Sequence, residues 1–181
     1  AHPMHVRREL LEQMIMNAEE KTDALPLLLS PVLNCSSWEE VKTERMRSRD
    51  FLCEGLMLKK KQSIYESGRR RGNWWKWKVD ALTVDGVLIY AQRGSGRRAN
   101  LYTDYTFAIW DGEDLVPFTK AYSGLTDKEL LEVDNWIKKN TIDKFGPVRS
   151  VTAALVFEIA FEGIQPSPRH KSGIALRFPR I

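Results

Sequence analysis

The sequence predicts an α+β fold in two parts, and two observations carry this prediction. Up to Asp80, two segments with helical spacing precede a strand-loop-strand unit. From residue 81 onward, short strands with alternating apolar residues follow one another, with one helix among them. With 181 residues, of which 43% are hydrophobic, the chain is long enough to bury one or two small cores. We therefore predict domains over residues 1–80 and 81–181.

The first part opens with a helix and a leucine-rich segment. Apolar residues recur at helical spacing between Val6 and Ile15, which predicts an amphipathic helix over roughly residues 4–18. In residues 21–37, two prolines flank a run of leucines, and this pattern indicates a short buried strand followed by a loop.

A second helix is predicted to begin at Ser37. Ser37 and Glu40 have the spacing of a capping box, and the helix is expected to run toward Arg49. The side chains expected on its inner face are Trp38, Val41, Arg45 and Met46.

Two strands joined by a basic loop are predicted between Glu54 and Asp80. Residues 56–58 are an apolar run after a glycine, which is typical of a buried strand. The alternation in residues 74–80 predicts a second strand. In such a strand Lys76 and Lys78 point to one face, while Trp75, Trp77 and Val79 pack on the other.

Two lysines side by side on one strand face favour a bound anion. Their ammonium groups repel one another unless an anion lies between them, and a polyphosphate meets this need. Glu54, at the entry of the first strand, has the oxygen ligands that a hard divalent ion beside a phosphate prefers. The loop between the strands adds guanidinium groups suited to bidentate phosphate contacts, on Arg69, Arg70 and Arg71.

Other interpretations of these basic residues stay open from the pattern alone. Lysines at alternate positions also occur on the solvated face of an edge strand, where they discourage pairing with another chain. The three arginines equally suit a nucleic-acid patch or a targeting-like basic cluster. The pattern by itself therefore does not decide what is bound.

Five strands and one helix are predicted in the second part. Asp111 and Gly112 mark a hairpin between the second and third strands, and Thr126 with Glu129 forms a capping box that opens the helix. Five strands with a helix before the fourth are typical of a Greek-key barrel of the oligonucleotide-binding (OB) type. The strands are expected over residues 82–92, 101–110, 115–122, 148–151 and 155–162.

Basic residues gather in two connections of this barrel. Positive loops on such a barrel usually follow a nucleic-acid backbone, because phosphate contacts need charge but little sequence readout. The alternative is an ordinary pair of basic loops without a ligand. The residues concerned are Arg93, Arg97 and Arg98 in the first loop, and Arg169, His170 and Lys171 in the last.

Composition and termini place the chain in a broad class. A net charge of +4 weakly favours a polyanionic partner. Cys35 and Cys53 form no metal or disulfide pattern, and neither a signal peptide nor a membrane span is visible, so we expect a cytoplasmic location. The opening residues, AHPMHV, lack an initiator methionine, which favours an excised fragment or a processed end.

Several separated motifs resemble those of one enzyme family. EGLMLK at 54–59 followed by WWKWKVD at 74–80 resembles motifs IV and V of the nucleotidyltransferase superfamily of ATP-dependent DNA ligases. The similarity continues through YAQRGSGRRANLYTDYTFAIW, KAYSGLTDKEL and LVFEIAFEGIQPSPRHKSGIALRFPRI, which resemble the OB-fold domain of those ligases and end inside motif VI. The type resembled most is a bacterial DNA-repair ligase. The resemblance implies the end of an adenylation (nucleotidyltransferase) domain over 1–80 and an OB-fold DNA-binding domain over 81–181.

The resemblance implies a reaction in three steps. A lysine attacks the α-phosphate of ATP, the AMP passes to the 5′-phosphate at a nick in duplex DNA, and the 3′-hydroxyl displaces AMP. Carried over by motif, Glu54 would support a Mg²⁺ ion, and Lys76, Lys78 and Arg70 would contact the phosphate of the nucleotide. Arg177 and Arg180 match motif VI, whose residues orient the leaving pyrophosphate.

One departure from the family is large. The family nucleophile lies in a KxDG motif, and here Thr83-Val84-Asp85-Gly86 has a threonine, which cannot form the phosphoramide. We therefore expect the parent enzyme to use ATP and Mg²⁺, and this chain to hold neither and to be inactive alone. The nucleophile-bearing half would be supplied in cis or in trans. Nicked DNA as partner further implies a nucleoid-associated bacterial protein.

Two other classes stay open beside the ligase. A non-catalytic nucleic-acid-binding OB module would retain DNA affinity without Lys76 and Lys78 but lose it on charge reversal of Arg97 and Arg98. An RNA ligase or capping-type nucleotidyltransferase would depend on the 2′-hydroxyl of its substrate.

Overall fold

The computed structural model describes residues 2–20 and 26–181 and confirms the predicted α+β architecture. The chain forms two compact units, Ala1–Val79 and Asp80–Ile181. The first unit contains helices α1 (Met4–Glu19) and α2 (Trp38–Arg47) and strands β1 (Gly55–Lys59) and β2 (Trp74–Lys78).

The second unit is built of strands and one long helix. Its elements are β3 (Leu82–Arg93), a 3₁₀ helix (Gly96–Arg98), β4 (Tyr102–Asp111), β5 (Asp114–Ala121), α3 (Asp127–Lys139), β6 (Thr141–Phe145), β7 (Val148–Val151), β8 (Val156–Phe161), β9 (Gly163–Pro166) and β10 (Ile174–Arg177).

Helix α2 begins at the predicted cap, with one difference in its hydrogen bonds. The Ser37 hydroxyl accepts from the Glu40 backbone N–H at 3.2 Å. The Glu40 carboxylate reaches back one residue further than a capping box requires, to the backbone N–H of Ser36 at 2.7 Å and its hydroxyl at 2.8 Å. These bonds to Ser36 hold the pKa of Glu40 below its ordinary value.

The buried strand predicted in residues 21–37 is wrong for the residues that the structure describes there, 26–37. These residues form no strand, and Leu27, Leu28, Val32 and Leu33 are exposed. A strand needs a neighbour to satisfy its backbone N–H and C=O groups, and the two described strands of this unit pair with each other. Residues 21–25 lie outside the described part of the chain.

The second unit is a curled antiparallel sheet organised around β3. The strand order is β5-β4-β3-β7-β6, and β8 pairs with the first half of β3. All five predicted strands are present, and β4 and β5 form the predicted hairpin around Gly112. At Gly86 the sheet has no side chain on β3, and an added Cβ would lie 3.1 Å from Phe107 and 3.2 Å from Phe118. The Phe107 Cβ and the Phe118 ring therefore pack directly on the β3 backbone.

Three short strands were missed in the sequence. Strand β6 pairs with β7 at the end of the sheet path, and four of its five residues are exposed. An edge strand without a buried face has no alternation of apolar residues to reveal it. Strands β9 and β10 form a separate two-stranded sheet.

Helix α3 closes the core of this unit and brings a carboxylate with it. Asp134 is 1% exposed, accepts from the Tyr102 backbone N–H at 3.0 Å and pairs with Lys138. The Tyr105 hydroxyl donates to the Tyr102 carbonyl at 2.6 Å. Burial, with the charge of Asp134 as a smaller cause, raises the pKa of Tyr105 well above its ordinary value. These polar groups of Asp134 and Tyr105 are paired, and the bond from Asp134 to the Tyr102 backbone ties α3 to β4.

Neighbouring leucines on α3 give a matched test of this packing. Leu130 is 3% exposed and Leu131 is 52% exposed. We expect Leu130→Ala to lower the free energy of unfolding by about 2–5 kcal/mol, because it leaves a cavity in the core. Leu131→Ala should change it by less than about 0.5 kcal/mol. Urea denaturation followed by circular dichroism measures both, and equal losses would contradict the described packing.

Candidate functional site

The register of the two strands in the first unit sets the face of each lysine. Lys76 lies opposite Met57, and Lys78 lies opposite Gly55. Because side chains alternate along a strand, Lys76 and Lys78 share one face of β2, as predicted. The hairpin is less buried than expected, since Met57 is 46% and Trp75 is 48% exposed. A two-stranded sheet against one helix leaves much of its apolar surface uncovered.

A close contact between the backbones holds the lysine-bearing end of the hairpin. Gly55 has a φ of +136°, and a Cβ on it would lie 2.3 Å from the Trp77 carbonyl oxygen and 2.7 Å from the Lys78 Cα. Only glycine combines this φ with so close an approach. Beyond it, the Val79 N–H donates to the Glu54 carbonyl at 3.0 Å. The first residue of β1 therefore places Glu54 beside the end of β2.

Glu54 and Lys78 form an ion pair at this end. The Glu54 Oε2 lies 2.9 Å from the Lys78 Nζ, and the two side chains are 25% and 41% exposed. Such a partly solvated pair contributes little stability, and its consequence is mainly to orient both groups. The structure thus brings together two of the predicted site residues.

The carboxylate of Glu54 suits a metal ion that takes most of its other ligands from a substrate and water. Within residues 2–20 and 26–181, no group of three or more His, Cys, Asp or Glu side chains could hold a metal ion. Mg²⁺ is commonly bound by one or two carboxylates with substrate phosphates and water as the other ligands. Glu54 fits this pattern as a single oxygen donor next to a cationic strand.

Helix α2 supports β2 from the face opposite the lysines. Trp77 packs edge-on against Trp38, with ring centroids 6.1 Å apart, and the Arg45 guanidinium lies 5.3 Å from the centre of the Trp77 ring. Arg45 also donates to the Lys78 carbonyl. This contact was missed in the sequence, where Arg45 was expected only on the inner face of α2. A basic residue within an apolar stripe was the available signal.

The arginine loop between β1 and β2 is held at its base and exposed at its tip. Lys60 N–H donates to the Asn73 carbonyl at 2.9 Å, which closes the loop, and Arg7 of α1 donates to the Ser63 carbonyl at 3.3 Å. Arg70 is exposed, as are its two arginine neighbours. The loop therefore presents three guanidinium groups to solvent.

The basic residues predicted in the second unit all lie on its surface. Arg93 ends β3 and lies over the ring of Tyr102, and Arg97 and Arg98 form part of the 3₁₀ helix that follows. Arg98 pairs with Asp127 at 2.9 Å, which ties this connection to the start of α3. The other predicted basic residues, in the connection between β9 and β10, are Arg169, His170 and Lys171.

The two predicted motif VI arginines differ in their surroundings. Arg177 ends β10 and lies over the ring of Phe178, whereas Arg180 pairs with Glu162 at 3.2 Å. Phe178, between them, has a φ of +52°. Among the described residues Leu52 is the one other non-glycine residue with positive φ, and it lies two residues before Glu54. Strained backbone of this kind costs about 1–3 kcal/mol and clusters at functional sites.

The segment that resembles the nucleophile motif, residues 83–86, lies in a strand of the second unit. Thr83 and Gly86 lie within β3, paired with β8. Thr83 is thus part of the central strand of the second unit.

Comparison with protein families identifies the family of the chain. A model of the ATP dependent DNA ligase domain matches residues 1–78, and a model of the ATP dependent DNA ligase C terminal region matches residues 98–181. The chain belongs to the ATP-dependent DNA ligase family. This confirms the resemblance drawn from EGLMLK and WWKWKVD.

Relatives in the ligase family span much longer chains. A "Probable DNA ligase" of Koribacter versatilis (strain Ellin345) is 42% identical over 162 residues, which cover 90% of this chain and 28% of that protein. The DNA ligase of Thermococcus onnurineus (strain NA1) is 34% identical over 180 residues, which cover 98% of this chain and 31% of that protein. The chain therefore spans about a third or less of these ligases.

Solved structures agree with the fold. The structure named "Pmar-Lig_Pre." superposes with a TM-score of 0.74 at 17% identity and covers 99% of this chain and 38% of that one. A structure from a structure-function analysis of Lig E DNA ligases gives a TM-score of 0.63 at 20% identity and covers 93% of this chain and 55% of that one. None of the helices within residues 2–20 and 26–181 has the length and apolar character to cross a bilayer.

Substitution of Gly55 tests the close contact that positions Glu54. We expect Gly55→Ala to lower the free energy of unfolding by about 1–3 kcal/mol, because both its φ and its nearest backbone atoms exclude a Cβ. Gly68→Ala is the matched control, since Gly68 has a φ of +76° but nothing within 4 Å. Urea denaturation followed by tryptophan fluorescence measures both variants. A loss for Gly55→Ala no larger than that for Gly68→Ala would argue against the contact.

Proposed function

We propose that this chain acts within an ATP-dependent DNA ligase that seals 5′-phosphate/3′-hydroxyl nicks in duplex DNA through enzyme-AMP and DNA-adenylate intermediates. The observation that carries the proposal is the cationic face of β2, where Lys76 and Lys78 project together and Glu54 lies 2.9 Å from Lys78. Membership of the ligase family supports this assignment.

Lys76, Lys78 and Arg70 act on the phosphate of the nucleotide in this proposal. The transferred phosphoryl group carries negative charge that spreads over its oxygens in the transition state, and cations fixed in advance stabilise that charge. Lys76 and Lys78 suit this task because strand pairing fixes the positions of their Cα atoms. Arg177 and Arg180 orient the leaving pyrophosphate.

Glu54 holds Mg²⁺ in this proposal, and ATP is the source of the AMP. When bound, the metal neutralises charge on the phosphate oxygens. Glu54 has a second task, because its ion pair with Lys78 holds the ammonium group beside the same carboxylate. The carboxylate therefore serves as an oxygen ligand and as an anchor for a cation.

The second unit supplies contacts to nicked duplex DNA. The proposed contacts are exposed basic side chains on connections, which match a phosphate backbone in charge without reading its sequence. They are Arg93, Arg97, Arg98, Arg169 and Lys171. With DNA as partner, the proposed location is the bacterial cytoplasm, at the nucleoid.

The chain does not supply the nucleophile for adenylylation. Thr83-Val84-Asp85-Gly86 resembles the KxDG motif but has a threonine in place of the lysine, and it lies in the paired strand β3 of the second unit. The remaining part of the adenylation domain, in cis or in trans, provides this lysine in the proposal.

Intact mass tests the proposed division of labour. After incubation of the 181-residue chain with ATP and Mg²⁺, we expect the same mass as in a parallel sample without ATP, because no lysine of a KxDG motif is present. A gain of one AMP would mean that another residue is the nucleophile. Acid and alkali stability of such an adduct would then separate a phosphoramide from an ester.

Salt dependence tests the DNA contacts. We expect the logarithm of the association constant for nicked duplex to fall linearly with the logarithm of salt concentration. Neutralising both Arg97 and Lys171 to Ala should reduce this slope by about 2, one unit for each lost phosphate contact.

The control for this experiment is a double variant with the same loss of charge elsewhere. Lys120 and Lys144 lie on β5 and β6 and are exposed. Their replacement by Ala should leave the slope almost unchanged. Equal slope changes for the two double variants would contradict the assignment of Arg97 and Lys171.

A further inference from the structure

Arg45 joins α2 to the end of β2 through two hydrogen bonds that the same carbonyl oxygen accepts. Its Nε and Nη2 both donate to the Lys78 carbonyl oxygen, at 2.8 and 2.5 Å. The two residues are 33 positions apart in the sequence. A guanidinium offers its donors in a rigid planar fork, so two bonds to one oxygen restrict the position of that oxygen in two directions.

The same side chain is itself held in place by the strand. The Arg45 guanidinium lies 5.3 Å from the centre of the Trp77 ring, within the range of a cation–π contact. Trp38, one residue past the cap of α2, also packs edge-on against Trp77. Arg45 therefore contacts β2 at two adjacent residues, which limits its own motion.

Three restraints meet at Lys78. Arg45 holds its carbonyl, Gly55 packs against its Cα, and Glu54 pairs with its Nζ. Gly55 begins β1 and Glu54 directly precedes it, whereas Arg45 ties Lys78 to α2. This bond adds a restraint from α2 to a two-stranded hairpin, which by itself is marginally stable.

We infer that Arg45 is a positioning residue for the phosphate site: by fixing the Lys78 carbonyl from α2, it sets where the Lys78 ammonium meets a bound phosphate. The inference rests on the proposed function of Lys78. A direct contact of Arg45 with phosphate is disfavoured, because Arg45 lies over Trp77, whose side chain alternates to the face opposite Lys76 and Lys78.

A double-mutant cycle tests this inference on the 181-residue chain, with magnesium tripolyphosphate as the probe. Dissociation constants are measured from the shifts of the Lys76 and Lys78 backbone amides in ¹⁵N-labelled protein. We expect Arg45→Met to weaken binding about tenfold, and Arg45→Lys, which retains the charge without the fork, to have an intermediate effect.

Coupling to Lys78 separates positioning from direct contact. If Arg45 acts through Lys78, Arg45→Met should cause no further loss in a Lys78→Ala background, but should retain its effect in a Lys76→Ala background. The matched control is Arg47→Met on the same helix, because Arg47 pairs with Glu44 and lies over Phe51. This control should stay within about twofold of the unaltered chain.

The outcomes distinguish a positioning role of Arg45, its direct contact with phosphate and the absence of a phosphate site. Equal affinities for Arg45→Met and Arg47→Met would overturn the positioning role while leaving the phosphate site intact. The same loss from Arg45→Met with and without Lys78 would mean that Arg45 contacts phosphate itself. No response of Lys76 and Lys78 in the unaltered chain would overturn the proposed phosphate site, and the positioning role with it. Urea denaturation establishes that each variant is folded. If Arg45→Met does not fold, the affinity of Arg45→Lys is compared instead.

Discussion

The contact between Gly55 and the backbone of β2 is the constraint on which the rest of the candidate site depends. A side chain at this position would collide with the Trp77 carbonyl and the Lys78 Cα. Because glycine allows the two backbones to meet here, Glu54 reaches Lys78 at 2.9 Å. Arg45 of α2 also holds the carbonyl of the same residue. The missing Cβ of Gly55 therefore allows Glu54, Lys78 and helix α2 to meet at one end of the hairpin.

The basic residues of the chain fall into two physical classes. Lys76 and Lys78 start from a paired strand, so their backbone is already restrained and only side-chain freedom is lost when they meet a phosphate. The arginines of the β1–β2 loop and of the connections in the second unit are exposed, and they lie in loops, in a short 3₁₀ helix or at the end of a strand. Charges of the first class suit a defined phosphoryl centre. Those of the second suit a long polyanion, where the number of contacts matters more than the position of each.

The second unit shows how the sheet supports such exposed connections. Strand β3 pairs with β4, β7 and β8, and Asp134 of α3 bonds to the backbone of β4 at Tyr102. These buried contacts fix the points from which the basic connections leave. At the far end of the chain, Phe178 keeps a positive φ between Arg177 and Arg180. Packing of the neighbouring segment, with Ala160 and Arg180 exchanging backbone hydrogen bonds at 2.8 and 2.9 Å, offsets that strain.

The sequence by itself determined the family, the elements with a clear apolar period and the shared face of Lys76 and Lys78, because these depend on residue spacing within one element. It could not reveal β6, which has no buried face, and it suggested a buried strand within residues 21–37, of which the described residues 26–37 form none. Only the tertiary structure decided that Glu54 meets Lys78 and that Arg45 holds the Lys78 carbonyl. Such contacts join residues far apart in the chain, and they depend on how separate elements pack, which no local pattern records.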